Sequence, residues 1–171
     1  MTKFSSKNNY LPTLNFGFTL LELLVTMMIT GILMMYAVPA FTNSIAGFQM
    51  SSNISGLTGA LNLARNEAIA RNVRVTMAPS IGTTFDHGIT VFIDENNNAT
   101  KDSNEEILHL FPSTGGSGHY TSSPGSVTYL PRGFVLNRAI FQLCDSRTNE
   151  WGRMVAISLS GGIRTKYSRC A

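Results

Sequence analysis

The sequence lacks the residue patterns that mark most enzymes. Its 171 residues contain no phosphate-binding glycine loop and no nucleophile elbow. His87, His109 and His119 stand in separate segments without the paired spacing of metal ligands. Asp86 and His87, just before Gly88, are typical of a turn rather than of an acid–base pair. These absences predict a structural or interaction protein, with no enzymatic activity, no cofactor and no bound metal.

Charge is also scarce. Charged residues make up 13% of the chain and the formal net charge is only +3, so overall basicity gives no argument for binding nucleic acid. The distribution is more informative. Seven basic residues lie from Arg132 onward, and no acidic residue follows Glu150. From Leu23 to Val38 there is no charged side chain at all.

That uncharged run belongs to an apolar stretch that reaches Phe41. A helix of this length is long enough to cross a bilayer. One carboxylate, that of Glu22, stands near its start, and an ionised carboxylate at membrane depth costs about 2.5–3.5 kcal/mol on insertion scales. A partner or a function is therefore expected to retain Glu22.

An ordinary secretory signal is the alternative interpretation of the apolar stretch. Val38, Pro39 and Ala40 form a tolerable small-residue cleavage site, and cleavage there would release a soluble secreted protein. Two features disfavour a signal peptide: the basic residues Lys3 and Lys7 stand far from the apolar run, and Glu22 would interrupt its core.

The amino-terminal sequence resembles that of type IV prepilin-like proteins. A basic, acid-free leader of residues 1–17 ends in Gly17, Phe18 follows, and Glu22 is the fifth residue after the glycine. The resemblance implies that a membrane peptidase cuts after Gly17, that the new terminus at Phe18 is methylated, and that the apolar helix of residues 18–41 is kept. Inside an apolar bundle, the positive terminus of Phe18 on a neighbouring subunit would best satisfy Glu22, so we expect Glu22 to direct assembly.

Two residues are weak points of this helix. Gly31 costs about 1 kcal/mol in a helix interior, and Pro39 removes a hydrogen bond and kinks the chain. In related pilins such an interval loosens on assembly, and the resemblance implies the same for residues 31–39. The alternative is that a membrane helix simply tolerates both residues.

Beyond the apolar segment the pattern becomes amphipathic, which predicts that the helix continues over residues 42–72. Apolar residues at spacings of three and four form one stripe, made by Phe41, Ile45, Phe48, Leu57, Leu61, Ala64 and Ala68. Off this stripe lie Arg65, Glu67 and Arg71. We expect the helix to weaken in the glycine-containing stretch from Ser51 to Gly59, and to pack on a sheet from about Leu57 to Asn72.

From Val73 onward the period changes from 3.6 to 2, which indicates β-strands. The predicted strands are short and are separated by Gly, Pro, Asn and Ser. They cover residues 73–77, 88–93, 107–111, 127–130, 139–143, 154–159 and 163–167. The order of elements predicts an α+β fold, in which a long amino-terminal helix packs on an antiparallel β-sheet domain of residues 73–171. Between the strands, the stretch from Ser113 to Gly125 is predicted to be a mobile loop.

Four further motifs narrow the resemblance: LNLARNEAI at residues 61–69, VFID at 91–94, FQLCD at 141–145 and SGGIR at 160–164. They resemble those of the H-type pseudopilins and FimT-like minor pilins. The resemblance implies a low-abundance subunit of a type IV pilus or of a type II secretion pseudopilus, with one helix in the bacterial inner membrane and its domain in the periplasm. Its partners would be other pilins, the prepilin peptidase and the inner-membrane assembly platform.

Cysteine is nearly absent, with only Cys144 and Cys170. If the domain lies in an oxidising compartment, a disulfide that pins the carboxyl terminus is expected. Two unrelated buried thiols are the alternative.

Some FimT-like proteins bind DNA during natural transformation, and the basic carboxyl terminus would carry such binding here. Arg164 and Lys166 share a face of an extended chain, and Arg169 joins them only if the chain twists or bulges. Together with Tyr167, these cations would bind phosphates of double-stranded DNA without reading sequence, and with a steep salt dependence. DNA-binding relatives have Gly-Arg-x-Arg here, whereas Gly162 takes the place of the first arginine. A solvated basic tail that only keeps the domain soluble is the alternative.

One polar segment has the odd-position spacing of a calcium loop, with Asp94, Asn96, Asn98, Thr100, Asp102 and Glu105. However, Ala99 stands where such a loop needs glycine, and no helix is evident before it. A polar hairpin turn is the preferred interpretation.

Overall fold

The computed structural model describes residues 17–113, 118–145 and 151–170, with Trp151 described by its backbone only. The predicted leader therefore lies outside the described residues, apart from Gly17. Part of the predicted loop from Ser113 to Gly125 also lies outside them.

One helix, α1 (Leu20–Arg71), is 52 residues long and begins near the amino-terminal end of the described chain. It runs without a break through Pro39 and through residues 51–59, so the expected weakening of the latter stretch is wrong. Two hydroxyls there bond within the helix, Ser55 to the Ser51 carbonyl at 2.9 Å and Thr58 to the Ile54 carbonyl at 2.8 Å. The composition of this stretch has low helix propensity, and burial of Ile54 and Leu57 in the core stabilises the helix there.

The chain divides after Phe41 into two compact units, the second of which is Thr42–Ala171. Within the second unit, α1 buries a stripe at spacings of three and four, made by Met50, Ile54, Leu57, Ala60, Leu61, Ala64 and Ala68. Packing thus begins about two turns before Leu57, where it was expected to start. The earlier members of the predicted stripe, Phe41, Ile45 and Phe48, are exposed.

After the helix, the described residues form eight strands: β1 (Val75–Pro79), β2 (Ile89–Ile93), β3 (Ile107–Phe111), β4 (His119–Ser123), β5 (Val127–Tyr129), β6 (Ala139–Cys144), β7 (Trp151–Ile157) and β8 (Ile163–Arg169). They form two four-stranded sheets, sheet 1 in the order β3-β2-β1-β5 and sheet 2 in the order β4-β6-β7-β8. Every pairing is antiparallel. The predicted α+β fold is therefore confirmed.

Strand β4 corrects one expectation. It lies inside the stretch from Ser113 to Gly125, which was predicted to be a mobile loop. β4 is an edge strand of Ser, Thr and His in which only Tyr120 is buried, so it lacks the apolar alternation that marks a strand in a sequence. Its pairing with β6 determines its conformation.

The core lies where both sheets meet the carboxyl-terminal half of α1. From sheet 1 the fully buried side chains include Met77, Val91 and Tyr129, and from sheet 2 they include Phe141, Leu143 and Val155. Alternation along each strand sends the neighbouring residues to the opposite face. The outer face of sheet 2 is therefore the one that carries Ile140, Met154 and Ala156.

Candidate functional site

The amino-terminal site is built on the first turn of α1. Gly17, Phe18 and Thr19 are exposed and precede the helix. The Thr19 hydroxyl accepts a hydrogen bond from the Glu22 backbone N–H at 3.1 Å, and the Thr19 carbonyl accepts one from the Leu23 N–H at 3.2 Å. Thr19 is therefore the N-cap and Glu22 the third helical residue, and the bond from the Glu22 N–H to the Thr19 hydroxyl is one of the two bonds of a capping box.

This geometry gives Glu22 a local role that the sequence analysis missed, although the spacing of Thr19 and Glu22 signals it. A carboxylate in the first turn is stabilised by the positive end of the helix dipole. Glu22 is also the only charged residue from Phe18 to Phe41, and it is exposed in the isolated chain. It therefore remains accessible to a neighbouring subunit.

The segment after Glu22 has the length and composition of a membrane span. The mean hydropathy of its most apolar 18-residue stretch is 2.0, and no residue of that stretch is buried within the chain. In the core helix of a soluble domain such a stretch would be mostly buried. The hydroxyls of Thr26 and Thr30 donate to helix carbonyls at 2.8 and 2.7 Å, so they need no other partner in apolar surroundings. Gly31 and Pro39 lie within the unbroken helix, and loosening between them stays a prediction.

The basic carboxyl-terminal residues lie on β8, at one edge of sheet 2. β8 pairs with β7 in continuous register from Ile163 to Arg169. Because side chains alternate along a strand, Arg164 and Lys166 point to one face and Arg169 to the other. The condition for uniting all three cations, a twist or bulge, is not met in this strand.

Arg164 and Lys166 lie on the outer face of sheet 2, where they are exposed. Their cross-strand neighbours on β7 are Ala156 and Met154, and these four residues line a groove of about 240 Å³. A second groove, of about 360 Å³, is lined by Arg138, Ile140, Ala156 and Arg164, among others. Arg164 and Ala156 belong to both grooves. We call this surface the cationic groove: Arg138, Arg164 and Lys166 around a floor of Ile140, Met154 and Ala156.

Arg138 is the member of the cationic groove that the sequence analysis did not find. It directly precedes β6, whereas Arg164 is on β8, and the pairing of β6, β7 and β8 brings them to one groove. The concentration of basic residues after Arg132 was the available signal. It gave no indication of which cations share a face.

Tyr167 and Arg169 do not belong to the cationic groove. Tyr167 pairs across the strands with Arg153, whose guanidinium carbon lies 4.2 Å from the centre of the tyrosine ring. This cation–π contact holds the exposed edge strand to β7. On the Arg169 backbone, the carbonyl accepts a hydrogen bond from the Gln142 side-chain amide at 2.9 Å. Tyr167 and Arg169 therefore do not share the face of Arg164 and Lys166, and a joint role of these four residues in DNA binding stays a prediction.

The two cysteines form a disulfide. The Cα atoms of Cys144 and Cys170 are 5.9 Å apart, and the bond joins the end of β6 to the residue after β8. It therefore crosses over the intervening strand β7 at Gly152. A Cβ atom on Gly152 would collide with the Cys170 sulfur and would lie 3.2 Å from the Cys144 sulfur and 2.5 Å from the Leu143 carbonyl oxygen. Only glycine leaves room for this crossing.

The polar segment from Asp94 to Glu105 is a turn that bonds to itself. Asp94 is buried and its two carboxylate oxygens accept N–H bonds from Asn98 and Ala99, each at 3.1 Å, while the Thr76 hydroxyl donates to it at 3.0 Å. The Glu105 carboxylate accepts the N–H groups of two other loop residues, Glu95 at 3.1 Å and Asp102 at 3.0 Å.

Asp102 completes this turn. Hydrogen bonds from the side chains of Asn96 and Asn98 lower the pKa of its carboxyl. Within residues 17–113, 118–145 and 151–170, no three His, Cys, Asp or Glu side chains gather as metal ligands would. The carboxylates of the turn serve its own backbone and amides.

Two buried tyrosines lie in the core beside α1. The Tyr120 hydroxyl donates to the Asn53 carbonyl at 2.9 Å, and burial, with a contribution from Asp86, raises its pKa. The Tyr129 hydroxyl has no hydrogen-bond partner among the described residues. Burial raises the pKa of Tyr129 to about 12, opposed by the nearby Arg65 charge.

The histidines occupy separate elements, as their sequence positions indicate. His87 ends a short 3-10 turn, His109 is on β3, and His119 is on β4. The Asp86 carboxylate accepts the Tyr120 backbone N–H at 2.6 Å, which ties the 3-10 turn to β4.

Comparison with known families points to the same two regions of the chain. Residues 53–161, more than half of the sequence, match the family described as type II transport protein GspH. Residues 14–38 match the prokaryotic N-terminal methylation motif. No curated protein matches the sequence.

The fold is similar to that of a Pseudomonas aeruginosa (strain PAO1) protein, the type IV minor pilin FimU. In one crystal form the TM-score is 0.62 at 15% sequence identity, and the alignment covers 71% of this chain and 90% of FimU. In a second form the values are 0.58 at 16% identity, covering 68% and 91%. At this identity the likeness shows a shared fold.

Proposed function

This chain belongs to the GspH family of type II transport proteins, and from that premise we propose that it is a minor subunit of a type IV pilus or a type II secretion pseudopilus, assembled through its amino-terminal helix. The methylation-motif match and the exposed apolar half of α1 support this role. The proposed parts are a leader of residues 1–17, a membrane and filament helix of 18–41, its amphipathic continuation over 42–72, and a periplasmic β-rich domain of 73–171.

The proposed processing is cleavage after Gly17 by the prepilin peptidase and methylation of Phe18 in the inner membrane. Both residues are exposed and precede the helix, so a peptidase has access to non-helical backbone there. The processed protein would begin with methylated Phe18. A secretory signal cut after Ala40 would instead leave Phe41 as the first residue, and amino-terminal peptide mass spectrometry distinguishes the two.

Glu22 is proposed to direct assembly by pairing with the positively charged terminus of Phe18 on a neighbouring subunit. In an apolar bundle each charge alone is unfavourable, and a contact between them neutralises both. The first turn of α1 presents the Glu22 carboxylate in the exposed position that such a contact needs.

A pair of substitutions separates this assembly role from capping. Glu22→Ala removes the carboxylate and is expected to leave the protein in the membrane and out of filaments. Thr19→Ala removes the capping hydroxyl, retains the carboxylate, and is expected to enter filaments near the wild-type level. Sheared-filament fractions probed for this subunit give the measurement. Wild-type incorporation of Glu22→Ala would refute the assembly role.

We further propose that the cationic groove binds double-stranded DNA through its phosphates during DNA uptake. The main support for this proposal is that Arg138, Arg164 and Lys166 line two adjoining grooves on one exposed face of sheet 2. Adjacent same-face residues on a strand are separated by about 6.6–6.8 Å, so Arg164 and Lys166 present two well-separated charges to a phosphate backbone. The apolar floor offers no base-reading groups, which favours binding independent of sequence.

The test is duplex-DNA binding by the full chain in non-ionic detergent, titrated with salt. Three phosphate contacts predict a slope of about −2.7 in log K against log salt, or roughly a 40-fold loss between 50 and 200 mM. Replacing Arg138, Arg164 and Lys166 together with Gln is expected to abolish retardation at low salt. Arg169→Gln, on the same strand but the opposite face, is the matched control and is expected to bind nearly as wild type.

The alternative function is that of a secretion pseudopilin that does not bind DNA. It is favoured by Gly162, which lies in the turn before β8 where DNA-binding relatives have the first arginine of their motif. Absence of wild-type binding at low salt would refute DNA binding and leave a subunit with a purely structural role. Retardation that persists in the triple variant would refute the cationic groove as the DNA site.

A further inference from the structure

Arg65, on α1, extends its guanidinium between two glycines that belong to different loops. Nη1 donates to the Gly161 carbonyl at 3.1 Å and Nη2 to the Ser160 carbonyl at 3.3 Å. A Cβ atom on Gly161 would lie 3.3 Å from Nε and Cζ of Arg65, and one on Gly133 would lie 3.2 Å from Nε. Both glycines have a φ of 77°, a conformation that other residues rarely adopt.

The two loops also contact each other at this point. A Cβ atom on Gly161 would collide with the Gly133 carbonyl oxygen. Next to it, the Val135 N–H donates to the Leu159 carbonyl at 3.0 Å. One of these loops is the β7–β8 turn, closed by the Ser158 N–H bond to the Gly162 carbonyl at 3.0 Å, and the other is the connection from β5 to β6.

Each loop leads directly to a cation of the groove. The β7–β8 turn leads into β8, where Arg164 is the second residue, and the β5–β6 connection ends at Arg138. The helix, the turn and the connection therefore meet at one side chain. Two motifs distant in sequence, LNLARNEAI at residues 61–69 and SGGIR at 160–164, come into contact through it.

We infer that Arg65 is the positioning residue of the cationic groove: bonded to the β7–β8 turn and packed against Gly133, it holds the two loops that lead to Arg164 and Arg138 against each other. This inference rests on the DNA binding proposed above. An arginine suits the task because its planar guanidinium donates to both carbonyls at once and is always charged. Arg65 is half-buried and engaged with backbone, so it contributes no phosphate contact of its own.

The experiment compares Arg65→Gln with Arg71→Gln in the full chain in detergent. Both variants lose one positive charge from α1, but Arg71 pairs with Glu67 and Glu106 rather than with the loops. Amide hydrogen exchange, read by mass spectrometry, is expected to be roughly tenfold faster over residues 158–163 in Arg65→Gln, because two charge-assisted bonds to the turn are lost. Arg71→Gln is expected to leave that segment unchanged.

DNA binding supplies the second readout. Arg65→Gln is expected to weaken binding roughly three- to tenfold with an unchanged salt slope, since no phosphate contact is removed, whereas Arg164→Gln is expected to reduce the slope by about 0.9. Arg65→Lys keeps the charge but loses the planar guanidinium that donates to two carbonyls at once. It is expected to give hydrogen-exchange rates and a DNA affinity between those of the wild type and Arg65→Gln. A slope reduced in Arg65→Gln would overturn the inference, because Arg65 would then contact DNA itself.

Exchange also separates failure of this inference from failure of the proposed function. Unchanged exchange over residues 158–163 in Arg65→Gln would overturn the inference whatever the DNA result. Acceleration that spreads to β1 and β2 would overturn it as well, because Arg65 would then support the whole domain. Absence of wild-type DNA binding would refute the proposed function, while the exchange comparison would still decide whether Arg65 holds the turn.

Discussion

Removing the disulfide gives the most quantitative test of how β8 is held. The perturbation is the double substitution Cys144→Ser and Cys170→Ser. The bond closes a segment with a sequence separation of 26 residues. In the chain-entropy model a loop of that length contributes about 3.5 kcal/mol to the free energy of unfolding, through restriction of the unfolded chain.

The assay is a urea titration of the full chain in non-ionic detergent, followed by the fluorescence of Trp151, the only tryptophan. The double variant is expected to unfold at lower urea, with a loss of about 3.5 kcal/mol, and the wild type under reducing conditions is expected to match it. A loss below about 1 kcal/mol in both would refute the reasoning, because loop closure would then not be the source of stability.

Gly152 extends the same prediction to the strand beneath the bond. Gly152→Ala places a methyl group against both sulfurs and against the Leu143 carbonyl oxygen. In the Cys144→Ser and Cys170→Ser protein the unlinked serine side chains are free to rotate away, so Gly152→Ala is expected to cost less there than in the oxidised wild type. Full additivity in this double-mutant cycle would show that Gly152 and the disulfide act independently.

Two further predictions concern Tyr129. Tyr129→Phe is expected to raise the free energy of unfolding at pH 7 by about 1 kcal/mol, because the buried hydroxyl has no partner in the described parts of the chain. The same urea titration measures this change. A decrease in stability of more than about 1 kcal/mol would contradict the prediction. In the wild type, stability is expected to fall between pH 10 and about 12, because the unfolded tyrosine ionises at its ordinary pKa of 10.0 while the folded one stays protonated up to about 12. This titration is worth at most about 2–3 kcal/mol, and a pH profile that is equally steep in Tyr129→Phe would refute the assignment.

The helix and most strands were predictable because their signals are local. The uncharged apolar run located the first half of α1, and periodicity located its second half and the change to strands after Asn72, since all three depend on neighbouring residues. The stretch from Ser51 to Gly59 is helical despite its composition, because propensity is a weak determinant when a side chain such as Leu57 is fully buried in the core. β4 was missed because an edge strand of hydroxyl side chains needs no apolar alternation.

Of the cationic groove, only the part that lies on the single strand β8 was predictable from the sequence. Alternation correctly stated the condition under which Arg169 would join Arg164, and the continuous register of β8 shows that it is not met. Arg138 and Arg65 were not predictable as partners of β8, because their contacts depend on strand order and on the docking of α1. The turn conformation of Gly161, which admits the Arg65 guanidinium, is likewise a product of tertiary contacts.

The three alanines of the buried stripe have a consequence for how the domain tolerates change. Ala60, Ala64 and Ala68 are fully buried, one turn apart, on the face of α1 that meets the sheets. A larger side chain at any of them has to push the helix away from its partners, and such overpacking costs typically about 1–3 kcal/mol. Their methyl groups thus set the distance between α1 and the sheets. Substitutions tolerated at these three positions are therefore limited to residues about as small as alanine.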